Sequence, residues 1–382
     1  MILVAWAAAI ALAQTSPLIV DGYRPVRCAA RLPYAGPPRR DPPALPASAP
    51  ISTAPLPAAT AKRLDAAFDR ILSATAARAI SVTVATANGS WSSDRTPADR
   101  PALYWASAGK TFIAVVILQL VEEKRLSLDA AIEDFVPGVP NGRAITIRDL
   151  LQHSSGLYSA NEDAAARAAP RWRSAAENIA IAGRHGAMFC PGAAWRYSNT
   201  NYDLLGLVIE KVDGRDYRSA IESRILHPLG LTTLKVPGSG DAADGIAPPI
   251  TAQTGAGPAI KPGWAGAAGP IAGSAKDMAR FWAALLGGNV LKPATVAEMF
   301  GTLYPMFDAG QFYGLGVMTV DVPSTPAQTW IGHFGGAPGA NAVVAYSIER
   351  RAFVAVALTG DSSAAAAANA LFHALDEPPP VP

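Results

Sequence analysis

Charge is scarce in this chain: 16% of its 382 residues are charged, 32 basic against 30 acidic, with no long run of either sign. That leaves no electrostatic footprint for nucleic acid or for an anionic membrane surface. Cysteine is nearly absent. Cys28 and Cys190 are the only two, which excludes a zinc knuckle and a disulfide-dense miniature fold. The five histidines, His153, His185, His227, His333 and His373, show no ligand spacing, so neither a metal nor a cofactor is expected. No Gly-x-Ser-x-Gly pentapeptide occurs, which sets aside a serine nucleophile on a strand-to-helix elbow. No internal repeat is present either. The expected partner is therefore a small molecule or a peptide.

Half of the residues are apolar, enough for a large buried core in one domain or in two or three units. Met1 to Ala13, "MILVAWAAAIALA", is too short to span a bilayer and ends in Ala-Leu-Ala, the outline of a signal peptide lacking a basic n-region. Export to the periplasm or medium follows from that reading, with no transmembrane segment in the mature chain. Residues 14–60 are rich in Pro, Ala and Arg and read as an extended, solvated linker. Nothing in the sequence places Cys28 near Cys190, so their pairing is left open.

Order is expected from residue 61. "AKRLDAAFDRILSAT" carries Leu64, Ala67, Phe68, Ile71 and Leu72 at helical spacing, and "AISVTVATANGSW" alternates into an Asn-Gly turn. Thr146 can cap a short helix, and "NYDLLGLVIEKVDGRDY" is the clearest helix of a mainly helical stretch, about 136–244. After a Gly/Pro/Ala-rich passage from Ala242 to Pro258, a helix at "AKDMARFWAALLGG" precedes strand-like runs "FYGLGVMTVDV", "TWIGHFG", "ANAVVAYSIE" and "RAFVAVALTG". The fold class is α/β in the α+β sense: one antiparallel sheet built from the N- and C-terminal segments, about 61–135 and 245–382, flanked by helices and carrying an inserted helical region.

Three clusters carry chemistry. In "YWASAGKTFIAVVILQL", Ser107 and Lys110 stand at i and i+3, so one helix face brings an amine to a hydroxyl as base to nucleophile. The apolar run after Lys110 predicts burial, which lowers an amine's pKa. A helix N-terminus also offers N–H groups to an oxyanion. In "WRYSNTNYDLLG", Tyr197 can ionise or relay a proton and Asn199 can bind a substrate carbonyl. In "WIGHFGGAPGANAVVAY", His333-Phe334-Gly335-Gly336 lies on a strand whose glycines admit a substrate backbone. Taken singly, each cluster reads equally well as a cap, a core aromatic or a Gly-rich hairpin. Trp105 and Phe334 read first as core aromatics and second as lining of an acyl pocket.

In this order the residues resemble the serine β-lactamase and penicillin-binding protein superfamily, which uses Ser-x-x-Lys, Tyr-x-Asn and Lys-Thr-Gly or a variant. The likeness is greatest to the branch of class C β-lactamases, D,D-peptidases, D-aminopeptidases and family VIII esterases, over roughly residues 62 to 375. The resemblance implies a β-lactamase/transpeptidase-like fold and a serine hydrolase. Ser107, Lys110 and Tyr197 would be catalytic; Asn199, His333 and Gly335 would bind substrate. The N–H groups of Ser107 and Gly336 would form the oxyanion hole. His333 stands where the β-lactamase pattern has lysine, which points to an amide or peptide hydrolase rather than an efficient β-lactamase. A carboxylesterase or weak β-lactamase is the alternative. A non-catalytic penicillin-binding or sensor module is a third.

Overall fold

The computed structural model describes residues 23–75, 77–169, 171–238, 245–251, 264–324 and 327–376. The expected signal peptide at 1–13 and most of the passage from Ala242 to Pro258 lie outside them. Helix α1 (Ala58–Ala74) precedes the hairpin β1 (Ile80–Thr86) and β2 (Gly89–Arg95), then the short strand β3 (Leu103–Tyr104) and helix α2 (Lys110–Glu122). The helical region holds α3 (Ile147–Leu151), α4 (Ala164–Ala168), α5 (Ala175–His185), α6 (Asn199–Asp213) and α7 (Tyr217–Ile221). The chain then returns through β4 (Ala272–Gly273), α8 (Ala275–Leu286) and α9 (Pro293–Met299). Strands β5 (Tyr304–Pro305), β6 (Gln311–Tyr313), β7 (Met318–Val322), β8 (Gln328–Ala337), β9 (Ala340–Ser347) and β10 (Ala352–Thr359) follow, and α10 (Ala364–Leu375) ends the fold.

The main sheet has eight antiparallel strands in the order β2-β1-β10-β9-β8-β7-β6-β5, so the N-terminal hairpin closes onto the last strand. Its central strands are covered on both faces. Along β10, Phe353, Ala355 and Ala357 enter the core shared with α2 and the helical region. Val354, Val356 and Leu358 alternate into a second core under α1 and α10. Helix α2 is apolar on every side and almost wholly buried, as expected of a helix surrounded by protein. Thr146 caps α3 in a reciprocal capping box with Asp149. In the first hairpin the turn residues are Ala87 and Asn88, one position earlier than the Asn-Gly pair suggests. Gly89 belongs to the strand, where a Cβ would stand 2.9 Å from the Pro55 carbonyl oxygen.

From Tyr23 to Pro57 the Pro-rich stretch is extended, as its composition implies, and lies against the domain as a strap. Cys28 is disulfide-bonded to Cys190. Val26 pairs with Ala187, Arg40 with Leu303 and Pro55 with Ser90 as isolated bridges. Arg31 donates two hydrogen bonds, 2.8 and 2.7 Å, to the buried carboxylate of Asp149. Arg40 makes the same forked contact with Asp321. No described helix is long and apolar enough to cross a membrane.

Candidate active site

Ser107 sits in a single 3-10 turn, Ala106–Gly109, and α2 starts at Lys110. The turn is unusual: Ala106 holds φ +46°, a region that costs a non-glycine residue about 1 kcal/mol or more. Its neighbours enforce it. Ala106, Ala108 and Gly109 are buried, and a Cβ on Gly109 would meet Pro270 Cδ at 2.6 Å. Ser107 alone of the turn remains partly exposed. Trp105 is fully buried, its indole donating to the Gly273 carbonyl at 3.1 Å, so it belongs to the core. Phe334 is half-buried and packs at the margin of the core beneath α1 and α10.

Lys110 is fully buried, one turn from Ser107, with Nζ 3.1 Å from the serine Oγ. Nζ also lies 2.7 Å from Asn199 Oδ1 and 2.5 Å from the Ala268 carbonyl oxygen. Burial holds its pKa well below the usual lysine value, opposed by the charge of Asp203. A neutral amine has two hydrogens and one lone pair. Two carbonyl oxygens that can only accept take both hydrogens, which leaves the lone pair for the Ser107 hydroxyl.

Tyr197 and Asn199 flank the N-terminus of α6 and converge on the same point. Lys110 Nζ lies 4.9 Å from the centre of the Tyr197 ring. Burial raises the pKa of the Tyr197 hydroxyl, opposed by a hydrogen bond to Ser107, so the phenol is protonated at neutral pH rather than ionised by a neighbouring ammonium. The ring packs 4.2 Å, centre to centre, from His153 and 6.0 Å from Phe307, which is 47% exposed at the rim. His153 Nδ1 accepts from Ser198 N–H at 3.3 Å and Asn201 Nδ2 at 3.2 Å. His153 therefore braces the start of α6, and its own backbone holds φ +63°.

Strand β8 forms the opposite wall. Gly335 lies directly on the serine turn: a Cβ there would stand 2.0 Å from the Trp105 carbonyl oxygen and 3.1 Å from Ala108 N. Phe334 N–H faces the β7 side, toward Met318 Sδ, and the β7 pairing ends at Met318 with Gly332. Gly336, two residues on, presents its N–H along the same edge beyond that pairing. His333 is brought to this region but not as a cation. Its Nδ1 donates to the Phe334 carbonyl at 2.6 Å, its Nε2 accepts from the Tyr313 hydroxyl at 3.0 Å, and burial pushes its pKa down to about 3. The histidine is neutral and occupied on both nitrogens.

Spacing in the sequence did not single out Ala268, His153, Tyr313 or Asp203. Asp203 has a visible signal, an acid one turn after Asn199 and directly before the apolar run from Leu204 to Ile209. Among the described residues no group of acids, histidines or cysteines could hold a metal ion.

Comparison with known proteins shows the family and the fold. The Beta-lactamase family model matches residues 64–376. A D-stereospecific amidohydrolase from Streptomyces sp. is 30% identical with a TM-score of 0.69 over 82% of this chain and 98% of its own. A D-amino acid amidase from Ochrobactrum anthropi SV3 shares the fold at 22% identity, TM-score 0.72, over 83% of this chain and 98% of its own. A penicillin-binding protein of Bacillus subtilis is 34% identical over 137 residues, 34% of this chain and 30% of that protein's length. The β-lactamase/transpeptidase-like architecture read from the motif succession is the one observed, and the chain belongs to the Beta-lactamase family of serine hydrolases.

Proposed function

We propose that this enzyme cleaves amide bonds of small aminoacyl substrates, with preference for the D configuration, through an acyl-enzyme on Ser107. The observation that carries the reading is the buried Lys110 amine, whose hydrogens are taken by Asn199 and Ala268 and whose lone pair is left for Ser107. Lys110 removes the Ser107 proton as Oγ attacks the substrate carbonyl. The oxyanion is received by the N–H groups of Ser107 and Gly336. Tyr197, a neutral phenol bonded to Ser107, protonates the departing amine and recovers its proton from the Lys110 ammonium. The C–N bond breaks, the acyl group stays on Ser107, and water enters by the reverse sequence to release the acid. Asn199 orients the substrate. Gly335 permits the close packing of strand and serine turn, and His333 fixes the strand through Tyr313.

The neutral His333 supports a substrate without a carboxylate to be neutralised at this wall, which disfavours penicillins and C-terminal D-alanyl peptides. The likeness to a D-stereospecific amidohydrolase at 30% identity supports amide and stereochemical preference. The Cys28–Cys190 bridge supports an exported enzyme, since disulfides persist in oxidising compartments.

The test is intact-protein mass after a fluorophosphonate probe for wild type, Ser107→Ala and Lys110→Ala, with turnover of D- and L-amino-acid p-nitroanilides and a penicillin. One adduct on wild type, none on Ser107→Ala, and faster release from the D anilides is the expected result. Equal labelling of Ser107→Ala refutes the mechanism. Labelling with penicillin turnover only would return the enzyme to β-lactamase chemistry.

A further inference from the structure

Among the described residues, three large hydrophobic side chains stand exposed: Leu32 on the strap, Trp172, and Phe307. Phe307 is the one whose ring packs on a residue of the reacting centre. Its centre lies 6.0 Å from that of Tyr197 and 5.7 Å from that of Trp195. Tyr197 is covered elsewhere by His153, which is wholly buried, whereas Phe307 is exposed and so stands on the solvent side of the same ring.

The turn that carries Phe307 is braced. Met306 N–H donates to the Gln311 carbonyl at 2.9 Å, which closes a short hairpin between β5 and β6. Asp321 N–H donates to the Gly310 carbonyl at 2.8 Å. Gly310 holds φ +86°, and a Cβ there would stand 2.9 Å from the Asp321 carbonyl oxygen, so the backbone is pressed onto β7. Tyr304, at the start of β5, meets the ring of Tyr34 on the strap edge-on at 4.9 Å. The phenyl is thus held in water by a fixed turn, at a cost in exposed apolar area that a bound apolar group would remove. Among the described residues no lysine or arginine lies over the ring of Phe307 or Trp195, so this surface suits an uncharged group rather than a carboxylate.

We propose that Phe307, with Trp195 beside it, is a shelf for an apolar substituent on the departing amine, so that the enzyme prefers substituted amides, and peptides with an apolar residue after the scissile bond, over primary amides. The inference rests on the acyl-transfer reading of Ser107 and names the leaving-group class of that site. Tyr197 is hydrogen-bonded to Ser107 and gives its proton to the departing nitrogen. The C–N bond breaks, the acyl group stays on Ser107, and the amine leaves from the Tyr197 side with whatever it carries. An extended chain advances about 3.5 Å per residue, so the first group beyond that nitrogen comes within contact range of a phenyl packed on the Tyr197 ring. Ammonia, the leaving group of a primary amide, has nothing to place there.

The test holds the acyl group constant. D-alanine methylamide and D-alanine benzylamide give the same acyl-enzyme, so a difference in kcat/KM between them arises before the amine is lost. Wild type should favour the benzylamide at least tenfold, and Phe307→Ala should lower that ratio by about fivefold or more through the benzylamide alone, leaving the methylamide within about twofold of wild type. Phe307→Trp, which keeps a ring on the turn, should keep the preference. A ratio near one in wild type, or a ratio unchanged in Phe307→Ala, overturns the assignment. So does an equal fall on both amides, which would make Phe307 a prop for Tyr197 and nothing more. If Phe307→Ala loses its fold, seen as a changed near-ultraviolet dichroism, Phe307→Gln takes its place and must lower the same ratio or the proposal falls. Absence of a fluorophosphonate adduct on Ser107 would sink the acyl-transfer reading and this proposal with it, whereas an adduct with an unchanged ratio sinks the shelf alone.

Discussion

Removing the bridge between Cys28 and Cys190 should cost this enzyme several kcal/mol, because the two cysteines are 162 residues apart. The chain-entropy relation puts the constraint on so long a loop at about 5 kcal/mol, an upper figure for an unfolded state without residual structure. With an unfolding entropy near 2.1 cal/mol/K per residue, that corresponds to a fall in Tm of about 6 °C for a domain of this size. Part of the strap's hold survives. The Arg31 fork on Asp149 and the backbone bonds from Leu32 and Ala35 to Pro191 and Ala193 do not depend on the disulfide. The bridged segment leads into Trp195 and Tyr197, so loosening it should also slow acylation. The assay is thermal unfolding of the oxidised wild type against Cys28→Ser/Cys190→Ser, which leaves no stray thiol, with fluorophosphonate labelling rates measured on both. A double variant melting within about 1 °C of wild type would refute the reasoning and return residues 23–57 to the role of a tether.

Acylation should depend on a group titrating well below the ordinary lysine value, because burial favours the neutral amine of Lys110; a labelling-rate profile whose rising limb lies near pH 10.4 would contradict this. Protonation of His333 should contribute to acid unfolding. Its folded pKa of about 3 lies below the ordinary value of 6.5, so the unfolded state binds more protons between those limits, and stability present above pH 6.5 is lost as pH falls toward 3. Urea unfolding at pH 7 and pH 4 should show a drop smaller by about 3 kcal/mol in His333→Gln, and an equal drop would remove the assignment. Gly335→Ala should push β8 off the serine turn, since the added methyl meets backbone atoms at 2.0 and 3.1 Å. A labelling rate at least a hundredfold lower with about 1–3 kcal/mol lost in denaturant melts is expected, and unchanged labelling would count against the close packing.

The fold was legible because its determinants are patterns. The β-branched alternation in "AISVTVATANGSW", the apolar run after Lys110, and the cap at Thr146 each encode a local geometry that the structure shows. The strap was less legible for a physical reason. A Pro-rich composition specifies extended backbone, which it has, but docking is decided by single contacts such as Arg31 on Asp149, 118 residues away.

Ser107, Lys110, Tyr197 and Asn199 were legible as candidates by residue type, since chemistry restricts which side chains can act as nucleophile, base, proton relay and orienting amide, and the fold brings the four together. What makes Lys110 suited to be a base was not. Its two hydrogens are held by an asparagine 89 residues away and by a backbone carbonyl 158 residues away. Every residue has a carbonyl, so no pattern marks Ala268 as the one that fixes the direction of a lone pair. The same holds for His333. The sequence shows an imidazole in place of an ammonium, but its lack of charge follows from burial and from Tyr313, on a neighbouring part of the sheet. Chemistry-bearing side chains can be read from a sequence, then, while their protonation states belong to the packing around them.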